Sequence, residues 1–302
     1  MNRAIEDLVD DLRHATRRGS EVGCTLLIGA GCPVSAGVPT ATGFVQQIEK
    51  RYPAAYQRAT KKTYAQCMAA TGPGQRRDLI ADYVNQAQLN WAHLCIAQLI
   101  KHGYIHRVLT TNFDPLIVRA CALLGVFPAI YDFAVSQHFK PAFIPTPAIF
   151  YLHGQHTGFV LMNTEEEVRK HSALLAPVFE DAGQGRVWLT VGYSGENDPV
   201  FQHLVKVSEF EYNLYWVGYE NNELAKHVRE ELLIDGKSAF FVKGFDADRL
   251  LFRSNQIALT RSISGGMLWP LRPSGSKERK LIGCSPWRVR NTKPLSSSIQ
   301  TG

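Results

Sequence analysis

The apolar residues of this chain fall into short continuous runs that alternate with segments of helical spacing. Short runs bounded by turn residues are typical of strands buried on both faces. They occupy residues 26–28, 104–109, 129–131, 148–151, 186–191, 214–217 and 238–242. Helical spacing is found in residues 1–18, 42–101, 115–124, 200–210, 223–233 and 246–251. The alternation predicts an α/β fold with a parallel sheet covered by helices on both faces.

The charge of the chain is unevenly distributed. The net charge is +6, but residues 249–302 hold ten Lys/Arg and one acidic residue, so this segment carries +9 and the remainder about −3. Residues 252–302 show no sustained period and are rich in Gly, Pro and Ser, which predicts a flexible basic tail. Because the rest of the chain is close to neutral, we do not expect direct nucleic-acid binding.

The composition indicates a globular intracellular protein. Hydrophobic residues make up 45% of the 302 residues, enough for a sizeable core. None of the six cysteines forms a C-x-x-C pair, so we expect reduced and mostly buried thiols. No signal peptide and no apolar run long enough to span a membrane is found, so a cytoplasmic enzyme or effector is expected.

A glycine-containing turn follows the first apolar run. Gly29, Ala30 and Gly31 come directly after Ile28, and small residues let backbone N–H groups approach a pyrophosphate closely. A helix that starts after the turn would also direct its positive end at the anion. The same residues are compatible with a simple left-handed turn, so the turn alone leaves both interpretations open.

Further motifs follow in a defined order. They are GVP at residues 37–39, TTNFD at 110–114, LHG at 152–154 and GYSGENDP at 192–199. Together with the glycine turn, these motifs resemble the sirtuin superfamily, and more closely its SIR2-like branch of NAD-consuming effectors in prokaryotic antiviral defence. The resemblance extends from about Thr25 to about Leu251.

This resemblance implies an architecture and a ligand. It implies a Rossmann-like, doubly wound parallel sheet in a SIR2-like domain over residues 1–251, with an inserted helical module at 42–101. It implies NAD as the substrate, with no metal. The residues implied to bind NAD are Gly29, Ala30, Gly31, Cys32, Ser35, Val38, Pro39, Thr40, Phe44, Thr111, Gly192, Tyr193, Ser194, Asp198, Gly218 and Asp246.

Three residues are candidates for catalysis. The resemblance makes His153 the catalytic histidine, and imidazole is suited to accept a proton near neutral pH. Asn112 offers an amide that can hydrogen-bond a water or a ribose hydroxyl without adding charge. Asp114 would orient the Asn112 loop or contact the nicotinamide amide. From local sequence alone, Asn112 and Asp114 could instead cap the helix after Pro115, and His153 could be a turn or core histidine.

The chain also departs from the deacetylating sirtuins. Residues 154–191 contain no cysteine, so we expect no zinc ribbon, and Thr111 replaces the Gln of the family motif. We therefore predict an NAD glycohydrolase, an effector of abortive-infection defence that acts as a homo-oligomer or with a partner defence protein. A protein deacylase and a non-catalytic NAD or nucleotide sensor remain alternatives. An oxidoreductase is disfavoured because Val34 replaces the third glycine of G-x-G-x-x-G.

Overall fold

A single parallel sheet organises the described part of the chain. The computed structural model describes residues 2–17, 23–134, 139–158, 160–219 and 223–259, so most of the predicted tail lies outside the described residues. The sheet has seven strands, and all of its pairings are parallel. The strands are β1 Cys24–Ile28, β2 Ile105–Thr110, β3 Ala129–Asp132, β4 Ala148–Tyr151, β5 Val187–Val191, β6 Leu214–Gly218 and β7 Ala239–Lys243.

The strand order places a crevice beside β1. The order across the sheet is β3-β4-β2-β1-β5-β6-β7. The chain leaves β1 toward β2 on one side, and it leaves β5 toward β6 on the other side. Neighbouring strands whose connections diverge leave a gap at their carboxyl ends, where open α/β sheets bind ligands. We call the gap between the ends of β1 and β5 the switch-point crevice.

Helices connect the strands. They are α1 Ile5–Arg17, α2 Ala41–Arg51, α3 Pro53–Arg58, α4 Tyr64–Ala70, α5 Pro73–Gln86, α6 Trp91–Lys101, α7 Leu116–Leu123, α8 Glu165–Ser172, α9 Ala176–Gly183, α10 Phe201–Val205 and α11 Ala247–Leu259. A π-helical turn covers Val228–Leu232, and short 3₁₀ turns cover Val34–Ala36, Pro141–Phe143 and Ala173–Leu175.

Both faces of the sheet are buried. Leu26 and Ile28 of β1 pack into one core cluster with residues of α1, α6, α7 and α11. Leu27, which points to the other face, joins a second cluster with residues of α9, α10 and the π-helical turn. Since successive strand residues alternate between faces, a strand covered on both sides is mostly apolar and lacks the alternation of a half-exposed strand. The predicted Rossmann-like, doubly wound parallel sheet is confirmed.

The predicted helical segment at residues 42–101 contributes to two different cores. Residues of α2, α4 and α5 share a third apolar cluster around Phe44, Ile48 and Met68. Residues of α6 belong instead to the cluster on the sheet, beside α7 and α11. Within this segment, α2, α4 and α5 therefore belong to a cluster separate from the two clusters on the sheet, whereas α6 packs on the sheet.

Several helices differ in length from the predictions. The helix predicted at 200–210 ends at Val205, because Phe210 is buried and its N–H donates to Lys237 O on a neighbouring loop. The helix predicted at 246–251 continues to Leu259. Its extension includes the buried Ser254, and Phe252 packs edge-on against Trp91 of α6. In both cases tertiary contacts, which local periodicity does not report, set the helix end.

The thiols are buried in the described part of the chain. Within the described residues, five cysteines are free and buried, as predicted: Cys24, Cys32, Cys67, Cys95 and Cys121. No helix in this part of the chain has the length and apolar character needed to cross a bilayer.

Candidate functional site

Four predicted motifs meet at one edge of the sheet. The glycine turn follows β1, Asn112 follows β2, His153 follows β4, and Gly192 follows β5. Because the strands are parallel, their carboxyl ends lie at the same edge. The extended pairing is continued beyond the strands, since Thr111 N donates to Ile28 O at 3.2 Å and Leu152 N donates to Thr110 O at 2.9 Å.

The turns after β1 and β5 pack backbone against backbone. Gly31 N donates to Gly192 O at 2.7 Å, and Gly29 N donates to Val191 O at 3.1 Å. A Cβ atom at Gly29 would lie 2.7 Å from Gly192 O, and one at Gly31 would lie 2.8 Å from Gly192 Cα. The glycines are thus required by the packing of the two turns, in addition to any close approach of a ligand.

Asn112 is tied to the glycine turn. Its Nδ2 donates to Gly29 O at 3.0 Å, and its backbone N donates to Thr110 Oγ1 at 3.0 Å. The residue is 7% exposed. The amide is therefore held at the switch-point crevice by the backbone of the neighbouring loop. The alternative that Asn112 caps the following helix finds no support in its observed hydrogen bonds.

One carboxylate oxygen of Asp114 caps a helix, and the other makes no hydrogen bond. Oδ1 accepts from Leu116 N at 3.1 Å at the start of α7, as the capping alternative predicts. Oδ2 is buried and has no hydrogen-bond partner. Burial raises the pKa of Asp114 from 3.8 to about 6, although the N–H of Leu116 and the charge of Arg119 act in the opposite direction.

His153 faces the carboxylate of Asp198, which lies in the loop after β5. Its Nε2 lies 3.5 Å from Asp198 Oδ1, and both side chains are largely buried. The ring follows β4 and precedes Gly154, whose φ of +91° turns the chain sharply. Burial raises the pKa of Asp198, but His153, the N–H of Val200 and Tyr193 together outweigh that effect and lower it overall.

The Ser35 hydroxyl forms hydrogen bonds with two residues outside the predicted motifs. Its hydroxyl donates to Asp248 Oδ2 at 2.5 Å, and Asn90 Nδ2 donates to the same hydroxyl at 2.9 Å. Asn90 Nδ2 also donates to Cys32 O at 2.8 Å, and Asp248 Oδ1 accepts from Ala92 N at 2.6 Å. The segment after the glycine turn is therefore fastened to the first turns of α6 and α11.

Sequence reasoning did not single out Asn90 or Asp248. Asn90 precedes α6 and caps it by accepting from His93 N at 3.1 Å, which is a recognisable local signal. Asp248 lies within the first turn of α11, where acidic residues are common for the sake of the helix dipole. Neither signal indicates that the side chain reaches Ser35, 213 positions away in the case of Asp248.

Several predicted NAD-binding residues have structural partners away from the crevice. Val38 and Phe44 are buried in the cluster of the helical module, and Phe44 packs edge-on against Tyr64 and Tyr83. Thr40 caps α2 through Gly43 N, whose Cβ position would lie 2.9 Å from the ring of Pro39. The NAD-binding role of these four positions stays a prediction.

The remaining predicted residues lie at or beyond the crevice. Ala30 is half-buried between the two turn glycines, and Tyr193 is buried in the core behind Gly192. Burial first, and then the charge of Asp198, raise the pKa of Tyr193. Ser194 is exposed, and its Oγ accepts from Glu196 N at 3.3 Å.

Cys32, Gly218 and Asp246 have local explanations. Burial, followed by the charges of Asp114 and Asp248, raises the pKa of the Cys32 thiol. Gly218 ends β6, where a Cβ atom would lie 2.3 Å from the ring of Phe241. Asp246 caps α11 by accepting from Arg249 N at 2.7 Å.

No metal site is found in the described part of the chain. Among these residues, no three or more His, Cys, Asp or Glu side chains are grouped so that they could hold a metal ion.

The raised pKa of Asp114 predicts a pH-dependent stability. A carboxyl whose folded-state pKa is raised contributes stability that is complete below 3.8 and is lost as the pH rises through about 6. Asp114→Asn keeps an oxygen for Leu116 N but does not titrate. From pH 4 to pH 7, we expect the free energy of unfolding of Asp114→Asn to increase relative to that of wild type by roughly 2 kcal/mol.

Urea denaturation at several pH values measures this difference. Asp78→Asn is the control, because Asp78 is an exposed residue of α5. A difference between Asp114→Asn and wild type that does not change with pH would contradict a buried, proton-binding Asp114.

Comparisons with known proteins agree with this architecture. A sequence model described as the SIR2-like domain matches residues 106–238. No curated protein matches the chain.

Solved structures share the fold at low sequence identity. A Sir2 homologue in complex with NAD has a TM-score of 0.55 and 15% identity, covering 86% of this chain and 96% of its own. A mutant Sir2 homologue in complex with ADP-ribose has a TM-score of 0.51 and 15% identity, covering 87% and 99%. A second such mutant complex has a TM-score of 0.52 and 14% identity, covering 87% and 99%. The likeness concerns the fold.

Proposed function

This chain carries a SIR2-like domain, and from that premise we propose that it is an NAD glycohydrolase, which hydrolyses NAD to nicotinamide and ADP-ribose. The observation that carries the proposal is the convergence of Asn112 and the two glycine turns at the switch-point crevice, with the His153–Asp198 contact at the same edge of the sheet. That NAD and ADP-ribose are bound by proteins of the same fold supports this choice of ligand.

The residues provide the groups that the hydrolysis requires. The oxygen of a water molecule bonds to C1′ of the nicotinamide ribose, and the C1′–N bond breaks with its electron pair going to nicotinamide. His153 accepts the proton that the water loses. Asn112, held by Gly29 O, hydrogen-bonds the water or a ribose hydroxyl. The buried, unpartnered Oδ2 of Asp114 accepts from the carboxamide N–H of nicotinamide.

The backbone of the glycine turns would hold the phosphates. Gly29 N and Gly31 N already donate to Val191 O and Gly192 O, so of these three small residues it is Ala30 whose N–H we propose for the phosphates. In this fold the crevice at diverging strands is where dinucleotides bind. Charged side chains are not needed for this role, since backbone N–H groups carry the positive ends of peptide dipoles.

An assay of NAD consumption by the purified protein tests the proposal. We expect wild type to release nicotinamide, and we expect Asn112→Ala and His153→Ala each to lower kcat by roughly 10²- to 10⁴-fold, since each removes a group that acts in the transition state. Asn85→Ala on α5 and His102→Ala after α6 are matched controls at exposed positions, for which we expect wild-type rates.

Other outcomes would identify a different function. NAD loss that occurs only with an acetyl-lysine peptide would indicate a deacylase. NAD binding by wild type without any turnover, in every oligomeric state obtained, would indicate a sensor and contradict the proposal.

We also propose the biological setting that the motif resemblance implies, an effector of abortive-infection antiviral defence. In this setting the protein acts as a homo-oligomer, with a partner defence protein, or both. Measurement of cellular NAD during phage infection, with wild type and Asn112→Ala compared, tests this role separately from the assay of the purified protein.

A further inference from the structure

We infer that Asp198 is a positioning residue: its carboxylate, 3.5 Å from His153 Nε2, acts through its charge to favour the hydrogen on Nε2, so that Nδ1 is the nitrogen that accepts a proton. The inference rests on the proposed function for the identity of the reaction, but the pairing itself does not. It replaces the sequence-based hypothesis that Asp198 binds NAD directly.

His153 and Asp198 follow strands that are not neighbours in the sheet. His153 follows β4 and Asp198 follows β5, and β2 and β1 lie between these strands. Three spacings between strands amount to about 14 Å, so the loop after β5 must extend back over the strand ends to bring the two side chains together. The 3.5 Å separation of Nε2 and Oδ1 therefore depends on the course of this loop.

The loop after β5 is anchored around Asp198 by hydrogen bonds and by packing. Asp198 Oδ1 accepts from Val200 N at 2.9 Å, and Asp198 O accepts from Phe201 N at 3.0 Å. Val200 and Phe201 are both buried in the core cluster on that face. Gly195, with φ of +68°, lies so close to the Phe201 ring that a Cβ atom would be 2.7 Å from it. The carboxylate is thus held by elements that do not depend on a ligand.

The surroundings keep a charge on Asp198. The titratable groups that face it are His153, Tyr193 and His203. Asp198 is 15% exposed and His153 is 11% exposed as side chains. An ionised carboxylate in such a setting favours a hydrogen on Nε2 and stabilises the imidazolium that forms when Nδ1 takes a proton. In the proposed reaction that proton comes from the attacking water.

Steady-state kinetics distinguishes a positioning residue from an NAD-binding residue. For Asp198→Asn we expect kcat to fall by roughly 10- to 1,000-fold while KM changes by less than about threefold, because the interaction acts on the proton acceptor. Asp198→Glu should recover part of the lost rate. The matched control is Glu196→Gln, an exposed carboxylate on the same loop, for which we expect wild-type kinetics. A rise in KM with unchanged kcat would overturn the inference.

A titration of Asp198 tests the pairing without any turnover. We expect ¹³C NMR of the Asp198 carboxyl to show a pKa below 3.8 in wild type. In His153→Gln we expect the pKa of Asp198 to rise, because burial then acts without the opposing imidazole. An Asp198 pKa that is the same in both proteins would overturn the pairing. If wild type consumed no NAD but this shift occurred, the proposed reaction would fail and the pairing would stand.

Discussion

Replacing Asp181 by alanine is expected to lower the free energy of unfolding by about 3–5 kcal/mol, because it leaves the buried charge of Arg107 without its carboxylate. Asp181 Oδ2 accepts from Arg107 Nε at 2.8 Å, and the two side chains are 9% and 4% exposed. Arg186 also donates to the backbone oxygen of Asp181. Burial, followed by the charge of Arg107, lowers the pKa of Arg186, whereas Asp181 raises it.

A surface ion pair of similar length provides the control. Arg51 and Asp82 are 2.7 Å apart, but their side chains are 36% and 51% exposed. Asp82→Ala should therefore cost less than about 1 kcal/mol. Urea denaturation of both variants gives the comparison, and equal losses would contradict a role for burial.

A double variant separates the charge from the packing. Arg107→Met combined with Asp181→Leu removes the buried pair and retains apolar volume. We expect this protein to be more stable than Asp181→Ala, since the cost of Asp181→Ala comes from the uncompensated charge. A double variant as unstable as the single one would assign the loss to packing instead.

Gly192→Ala is expected to destabilise the fold by about 2–5 kcal/mol and to abolish the proposed NAD turnover, because both the backbone conformation and the space exclude a side chain. Gly192 has φ of +64°, and a Cβ atom there would lie 2.4 Å from Cys32 N and 2.7 Å from Gly31 C. Backbone atoms cannot move aside as a flexible side chain can. The two turns of the crevice must then separate.

Gly125→Ala isolates the conformational part of this effect. Gly125 follows α7 with φ of +70°, close to that of Gly192, and no atom lies within 4 Å of its Cβ position. We expect a loss of only about 1–2 kcal/mol from the left-handed backbone, with turnover unchanged. Thermal or urea denaturation, followed by the NAD assay, compares the two variants. Similar losses would show that turn packing is unimportant.

The fold was predictable to the extent that it depends on local pattern. Leu26, Leu27 and Ile28 indicated a doubly covered strand because every position of such a strand is buried. The capping of α7 by Asp114 followed from a local rule, as its bond to Leu116 N shows. The end of α10 was missed because the bond from Phe210 N to Lys237 O joins distant segments.

Some residues of the candidate site could likewise be predicted from local motifs, whereas their partners could not. The motif residues Asn112 and His153 follow strands, and parallel strands bring such positions to one edge. The partners of Ser35 and His153 are Asp248 and Asp198, which come from elements far along the chain. No local signal distinguishes these carboxylates from ordinary helix-capping or loop residues.

The sequence by itself therefore determined the alternation of strands and helices, the turns that need glycine, and which motifs follow which strands. These properties depend on hydrophobic period and backbone conformation, both of which act over a few residues. Only the tertiary structure decided that Asp198 contacts His153, that Asp248 contacts Ser35, and that Asp181 lies between two arginines. The partner of a polar side chain depends on where the crossovers place other strands and helices, and that placement is a property of the whole packed sheet.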